Sequence, residues 1–132
     1  FGFDEYKDKK AKEILLIAQI EHIDAIDNLD EILSVDGIHG TLIGPYDLSG
    51  SMGTPGNYDD ADVKQVLDKY ETTAKKYDKL VGFHVIQPDY NLVLEKITKG
   101  YDFISFSLDS LFLGQAARTQ TLKLREHLKE KR

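Results

Sequence analysis

Two acidic side chains follow the first two apolar segments of this sequence. Glu21 comes directly after the segment ILLIAQI, and Asp47 stands three residues beyond the next segment, GTLIG. If both segments are strands of one parallel sheet, their carboxyl ends meet at the edge where such folds bind ligands. No Lys or Arg stands at these ends or directly after the two later apolar segments, so a Schiff-base lysine has no candidate.

Two carboxylates without a neighbouring cation repel each other, and one of them would have to take up a proton. A bound divalent cation removes this repulsion. One or two carboxylates, completed by water and substrate, are the usual ligands of Mg²⁺, and Mn²⁺ accepts the same ligands. Glu21 and Asp47 are therefore the candidate metal ligands.

Two neighbouring residues add candidate substrate-binding groups. Gln19 and Glu21 are two apart and share one strand face, so the Gln19 amide could donate to a ligand or support the metal ligands. Beyond Gly44, Pro45 has no N–H, and the amides of Tyr46 and Asp47 are the next free donors. Consecutive backbone amides can bind an anion, and a substrate carboxylate is the anion expected beside a metal.

Each of these residues also has an ordinary structural interpretation. An acid after a strand more often caps a helix or faces solvent than binds a ligand, and a glycine-rich loop is usually only a connection. Among the histidines, we interpret His22 as a residue at the rim of the site and His84 as a packed, hydrogen-bonded strand residue. His39 and His127 fit a connection and an exposed helix position.

The candidate site needs strands and helices that alternate, and the sequence has that pattern, βαβαβαβα. The length and β-branched content of the apolar segments predict buried strands of a parallel sheet. Asp24 and either Asp59 or Asp60 are expected N-caps, and Gly37 and Gly100 are expected stops. The predicted strands are 14–21, 40–44, 81–86 and 103–107; the predicted helices include 24–34, 63–77, 92–97 and a last helix from about 110, and 45–60 is a long glycine-rich connection.

Strands that alternate with helices predict an α/β fold with right-handed crossovers. Four βα units form half of a (β/α)8 TIM-type barrel, which has a usual length of roughly 250 residues. The competing architecture is a small open doubly wound sheet. Neither a Gly-x-Gly-x-x-Gly fingerprint nor a P-loop occurs, so nucleotide binding has no support. We expect residues 1–132 to form a single domain.

The composition excludes several other classes of protein. With 41% hydrophobic and 30% charged residues, the 132-residue chain is not disordered. No apolar run reaches the ~18 residues that span a membrane, so no membrane partner is expected. A formal net charge of −6 argues against a nucleic-acid partner. The absence of cysteine excludes disulfides, thiolate metal sites and a cysteine nucleophile. The simplest expected location is the cytoplasm.

Three short motifs carry a resemblance to a known family. The Gln-Ile-Glu strand, the Asn-Leu-x-x-Ile-Leu helix and the Gly-Pro-x-Asp-Leu-Ser segment, with Met-Gly and Gly-Asn after it, occur in order between residues 19 and 57. Together they resemble the metal-dependent (class II) pyruvate aldolases. These include the 4-hydroxy-2-oxoheptanedioate and 2-dehydro-3-deoxyglucarate aldolases and are related to citrate lyase β-subunits. The later segments GFHVI and GYDFISFSLDSLFL are similar to the last two strands of the family's barrel.

The resemblance implies a carbon–carbon lyase that binds Mg²⁺, Mn²⁺ or Co²⁺. Such an enzyme forms or cleaves 2-oxo-4-hydroxy acids through a pyruvate enolate, from pyruvate or another 2-oxo acid and an aldehyde, in aromatic or sugar acid catabolism. Glu21 and Asp47 match the metal ligands, and Gln19 matches a residue hydrogen-bonded at the substrate. The amides of Tyr46 and Asp47 match those that hold the pyruvate carboxylate, although the family often has a smaller residue where Tyr46 stands.

The family is about twice as long as this chain, as a complete barrel would be. Its catalytic His and its Arg beside the keto oxygen belong to the first half, and nothing here matches them. The chain also lacks an initiator Met. We therefore interpret residues 1–132 as the C-terminal half of the barrel, with no catalytic residue and little or no activity alone.

The resemblance also bears on partners. An open half-barrel exposes sheet edges, which favours a homo-oligomer or pairing with the missing half. In the family the final helix packs across subunits, and the stripe Ala117, Thr121, Leu124 and Leu128 suits that role.

Two further functions remain as alternatives. One is a citryl- or malyl-CoA lyase, which would need a basic patch for the CoA phosphates, and this sequence shows none. The other is a non-catalytic half-barrel that serves as a binding or assembly module, because the acid/base half is absent.

Overall fold

The computed structural model describes residues 2–130, and the side chain of Glu130 is outside that description. The chain divides after Gly82 into two compact units, which are described separately below. Within residues 2–130, no helix has both the length and the apolar character that crossing a membrane requires.

Helices and strands alternate through the first unit. Strand β1 covers Ile17–Ile20, β2 covers Gly40–Ile43, and β3 begins at Leu80 and ends at Val85, so it crosses the division. The helices are α1 (Phe3–Asp8), α2 (Ile23–Asp27), α3 (Leu29–Ser34), α4 (Pro45–Ser51) and α5 (Ala61–Ala74), with a short 3-10 turn at Lys10–Lys12. In the second unit, α6 (Tyr90–Thr98) and β4 (Phe103–Phe106) precede the long helix α7 (Asp109–Glu130).

The strands form one parallel sheet in the order β1-β2-β3-β4, which confirms the predicted α/β class. In the β1–β2 pair, Ile17 lies opposite Gly40 and Ile20 lies opposite Ile43. The backbone N–H of Gly44 also donates to the carbonyl of Ile20 at 3.0 Å. This register places Glu21, the residue directly after β1, beside the end of β2.

The core of the first unit lies between β1, β2 and helices α3 and α5. Its fully buried side chains include Ile20, Ile43, Leu29, Leu33 and Val63. Each buried aliphatic side chain contributes about 1.5–3 kcal/mol relative to an exposed one.

Tyr70 is also fully buried, and its phenol is satisfied by polar partners. The hydroxyl lies 3.0 Å from Thr41 Oγ1, and it donates to the carbonyl oxygens of Thr41 at 3.2 Å and Gly82 at 3.0 Å. These bonds offset the cost of placing a hydroxyl in the core.

The prediction that the first strand begins at residue 14 was wrong, because β1 begins at Ile17. Residues 14–16 precede β1 and are 49, 65 and 54% exposed, and within β1 only Ile20 is buried. β1 is the edge strand of the described sheet, so neighbouring strands cover only one of its sides. The Leu16 N–H donates to His39 Nδ1 at 3.0 Å instead of to a strand.

Two further differences concern helices. The predicted helix over 24–34 is interrupted at Asn28, whose side chain and backbone N–H both donate to the Asp24 carbonyl, at 2.7 and 3.0 Å. His22, not Asp24, caps α2, because its Nδ1 accepts from the Asp24 N–H. The predicted connection over 45–60 begins with α4, whose first residue is Pro45. The expected cap of α5 is confirmed as Asp60.

In the second unit, Phe83 and Tyr101 are buried and meet edge to face, with ring centroids 5.3 Å apart. Lys96 Nζ lies 4.5 Å from the centre of the Phe83 ring. The prediction that His84 is hydrogen-bonded was wrong for one nitrogen, because Nε2 is buried and has no partner among residues 2–130. In α7 the apolar side chains Leu122, Leu124 and Leu128 are all exposed.

Candidate functional site

Gln19 and Glu21 meet at the end of β1. Both side chains project from the same face of the strand, as their spacing predicts, and Gln19 Nε2 donates a hydrogen bond to Glu21 Oε1. Glu21 is half-buried, whereas Gln19 is exposed. The bond engages one oxygen of the carboxylate, and in the described part of the chain no hydrogen bond or ion pair engages the other.

Gly44 makes the position of Glu21 possible. A Cβ atom added at Gly44 would lie 2.6 Å from Glu21 Oε1 and 2.8 Å from Glu21 Cγ, closer than real Cβ contacts allow. The Gly44 backbone is extended, with φ of −101°, so close approach and not backbone strain requires glycine here. The pairing of β1 with β2 therefore places the Glu21 side chain directly against the residue that precedes α4.

Asp47 lies in the first turn of α4, three residues after Gly44. Its side chain is exposed, and the helix dipole favours an acid at this position. The N–H of Leu48 donates to the Gly44 carbonyl at 3.0 Å. Within residues 2–130, no protein acceptor takes the N–H of Tyr46 or Asp47, so both amides remain available to a ligand.

Two serines hold α4 in place. Ser51 Oγ donates to the Leu48 carbonyl at 2.7 Å and accepts from the N–H of Ile23 at 3.0 Å, which connects α4 to the start of α2. Ser49 is fully buried, and its Oγ donates to the Tyr46 carbonyl at 2.8 Å and accepts from the N–H of Gly56 at 2.9 Å. The helix that carries Asp47 is thus tied both to the chain that follows Glu21 and to the loop that follows α4.

Tyr58 is a neighbour of Asp47 that the sequence analysis missed. Burial raises the pKa of its phenol, and the charges of Tyr46 and Asp47 raise it further. Tyr58 therefore lies within electrostatic reach of Asp47 and stays neutral into more alkaline solution. The only signal in the sequence is its place in the glycine-rich segment after α4, which does not determine the path of the loop.

The histidines are not gathered at the site. His22, which follows Glu21, uses Nδ1 to cap α2, and its side chain is 58% exposed. This agrees with its interpretation as a rim residue. His39 lies in the connection before β2, as predicted, and its Nδ1 accepts a hydrogen bond from the N–H of Leu16, the residue before β1.

Charge and donor chemistry test whether a divalent cation fits here. No ion pair among residues 2–130 involves Glu21 or Asp47; the lysines with paired acids lie elsewhere, as in Lys69–Asp27 and Lys64–Asp59. The same part of the chain contains no group of three or more His, Cys, Asp or Glu arranged to hold a metal. Two carboxylates with no protein cation suit a hard divalent ion that keeps its remaining positions for water and substrate.

Comparisons with known proteins agree with the architecture around these residues. The profile of the HpcH/HpaI aldolase/citrate lyase family matches residues 4–116. A 2-keto-3-deoxy-L-rhamnonate aldolase of Escherichia coli O1:K1 is 32% identical over 113 residues, which are 86% of this chain and 42% of that protein. The chain thus spans less than half of the length of this relative.

Solved structures show the same relation. An HpcH/HpaI aldolase from Desulfitobacterium hafniense DCB-2 superimposes with a TM-score of 0.82 at 25% identity, over 96% of this chain and 48% of that one. A family protein from Burkholderia cenocepacia J2315 gives a TM-score of 0.83 at 24% identity, over 92% and 46%, and shows the fold alone. These neighbours have TIM-barrel-like folds, and this chain corresponds to about half of each. The chain belongs to the HpcH/HpaI aldolase/citrate lyase family.

Proposed function

We propose that this chain supplies the cation- and carboxylate-binding half of a class II aldolase that cleaves or forms 2-oxo-4-hydroxy acids. The end of the β1–β2 pair carries the proposal, because Glu21 and Asp47 follow the two paired parallel strands and Gln19 orients Glu21. Among residues 2–130, neither acid forms an ion pair with a cationic side chain. The coarser class has independent support, because members of the family generally depend on a divalent metal.

The proposed substrate class follows from the similar protein in Escherichia coli, whose name identifies a 2-keto-3-deoxy sugar acid. Cleavage of such an acid between its third and fourth carbons yields pyruvate and a short hydroxyaldehyde. Of these two products, pyruvate has the carboxylate beside a keto group that the proposed site would recognise.

In this proposal each residue has a separate role. Glu21 and Asp47 would hold Mg²⁺, Mn²⁺ or Co²⁺, and Gln19 keeps Glu21 in its orientation through the amide hydrogen bond. The amides of Tyr46 and Asp47 would donate to the substrate carboxylate, because they are consecutive donors for which residues 2–130 provide no acceptor. When bound, the cation would supply Lewis-acid stabilisation of the negative charge that develops on the keto oxygen.

Proton transfer is assigned to residues outside this chain. His22 serves as a helix cap, and no other His accompanies Glu21 and Asp47 in the described part of the chain. We therefore propose that residues 1–132 alone bind metal and 2-oxo acid but turn over little or no substrate. A second copy or a complementary half-barrel would then cover the exposed apolar residues, in the cytoplasm.

The test is Mn²⁺ binding by calorimetry, with and without pyruvate, on the 132-residue chain. Glu21→Gln and Asp47→Asn each remove one anionic ligand of nearly equal size. We expect either to weaken Mn²⁺ binding by at least about 100-fold, the upper end of what loss of a supporting hydrogen bond costs.

Asp59→Asn is the matched control, because Asp59 is an exposed acid that pairs with Lys64 at 3.0 Å. It should bind Mn²⁺ as the unmodified chain does. Equal Mn²⁺ affinity in all four proteins would contradict the proposed site.

A further inference from the structure

The side chain of Tyr46 takes no part in the proposed binding of the metal or of the substrate carboxylate. Tyr46 is the second residue of α4 and directly precedes Asp47, and its side chain is 49% exposed. Its backbone amide is one of the two proposed donors to the substrate carboxylate. The ring therefore begins one residue from a metal ligand and close to the bound end of any 2-oxo acid.

The ring rests on the loop that follows α4. A Cβ atom added at Gly56 would lie 3.2 Å from Tyr46 Cε2, so the ring edge lies against the backbone of Gly56. Gly56 has φ of +75°, a conformation that side chains rarely adopt, and its lack of a side chain leaves room for the ring.

The loop itself is fixed to α4. The N–H of Thr54 donates to the Ser49 carbonyl at 2.9 Å, and the N–H of Gly56 donates to Ser49 Oγ at 2.9 Å. Ser49 Oγ in turn donates to the Tyr46 carbonyl. One buried serine thus connects the backbone of Tyr46 to the glycine against which the edge of its ring lies.

On the basis of the function proposed above, we propose that the ring of Tyr46 is a specificity-determining wall. It limits the length of the carbon chain that extends from the keto group of the substrate. The site would therefore select short 2-oxo acids and, in the aldol reaction, short acceptor aldehydes. A rigid wall discriminates by size, because one methylene that does not fit costs roughly 10–200-fold in specificity.

Unreactive 2-oxo acids of increasing length test this directly. Pyruvate, 2-oxobutanoate, 2-oxohexanoate and 2-oxooctanoate share the chelating head, and their tails extend along the path that a bound aldehyde would occupy. Calorimetry with the Mn²⁺-loaded chain gives the ratio of each affinity to that for pyruvate, which needs no catalytic turnover. In the unmodified chain we expect the ratio to fall at least about tenfold at the length that first meets the ring.

Three variants separate the possible causes. Tyr46→Ala should abolish the fall, and Tyr46→Phe, which keeps the ring, should retain it. Tyr6→Ala removes a tyrosine of matched exposure, 51%, from α1 and should behave as the unmodified chain does.

The outcomes distinguish this proposal from the one on which it rests. If pyruvate binds but the ratios do not fall with length, or fall equally in Tyr46→Ala, the wall is refuted and the proposed function stands. If the Mn²⁺-loaded chain binds no pyruvate, the proposed function fails, and the wall fails with it.

Discussion

Gly44 determines where the Glu21 carboxylate lies, although it contributes no functional group. The register of β1 and β2 brings its Cα so close to Glu21 that the space for a Cβ is already filled by the acid. A metal ligand that is held by close contact loses little conformational entropy when the ion binds. In the proposed site, Gly44 would therefore affect metal affinity through the position of Glu21.

Replacing Gly44 with alanine tests this contact. The new Cβ would lie 2.6 Å from Glu21 Oε1, so the carboxylate must move away from Gln19 and from the site. We expect Mn²⁺ affinity to fall by roughly 10–100-fold, as when a supporting partner of a ligand is lost. Calorimetry measures the affinity, and thermal unfolding checks that the variant folds.

Gly50→Ala is the matched control within α4. A Cβ at Gly50 meets only Pro55 Cβ, at 3.9 Å, and alanine suits a helix better than glycine does. Its Mn²⁺ affinity should be unchanged. If Gly44→Ala binds Mn²⁺ as tightly as Gly50→Ala, close packing against Glu21 has no part in metal binding.

These residues mark what a sequence can and cannot predict at this scale. The two-residue period of a strand is local, so it correctly predicted that Gln19 and Glu21 share a face. The contact at Gly44 depends on the register between two strands, and no local pattern contains it. Tyr58 depends on a loop whose turns use the left-handed glycines Gly53 and Gly56, and several paths would suit that composition.

At the scale of elements, α4 connects the acidic site to the rest of the first unit. The Gly and Ser content of residues 45–60 predicts a single loop and gives no sign of the two-turn helix at Pro45–Ser51. Pro45 at its first position suits a helix start, but the helix also relies on bonds from Ser49 and Ser51 to backbone groups. Such bonds depend on tertiary placement, and the same serines could equally well lie in a loop.

Ser49→Ala tests how firmly α4 holds its loop. The change removes the acceptor for the Gly56 N–H and the donor to the Tyr46 carbonyl in a fully buried position. Unsatisfied buried groups cost about 1–3 kcal/mol, so the free energy of unfolding in urea should fall by that amount. Amide exchange at Gly56 should also become faster.

Ser34→Ala provides the comparison, because Ser34 Oγ donates to the Asp30 carbonyl at 2.7 Å at an exposed position of α3. Its free energy of unfolding should change by no more than about 0.5 kcal/mol. An equal effect of the two substitutions would show that Ser49 does not tie the loop to α4.

At the scale of the whole molecule, the sequence predicts the order of strands and helices, because each strand is a clear apolar run that is followed by residues with helical spacing. The sequence does not predict how much of each apolar segment is buried. The apolar residues 14–16 are exposed in the described chain, and so are four leucines of α7: Leu113, Leu122, Leu124 and Leu128. An apolar segment favours burial, but its sequence does not show which surface would bury it. Pairing with a second copy or a complementary half-barrel stays a proposal that these surfaces suit.

The buried Tyr70 phenol links stability to alkaline pH. Burial raises its pKa to about 12 from 10.0, and the hydrogen bond with the Thr41 side chain only partly opposes this. Because the folded pKa lies above the unfolded one, the neutral phenol favours the folded state, and its full contribution is present below pH 10. As pH rises from 10 toward 12, the Tyr70 phenol ionises first in the unfolded chain, and the free energy of unfolding falls by about 1.4 kcal/mol per pH unit.

Urea unfolding at pH 8, 10, 11 and 12 should show this decline in the free energy of unfolding. Tyrosinate absorbance should show one phenol that ionises only as the chain unfolds. Tyr6→Phe, which changes an exposed phenol, should leave the decline intact. A free energy of unfolding that stays constant through this range would mean that Tyr70 ionises in the folded chain as easily as in the unfolded one.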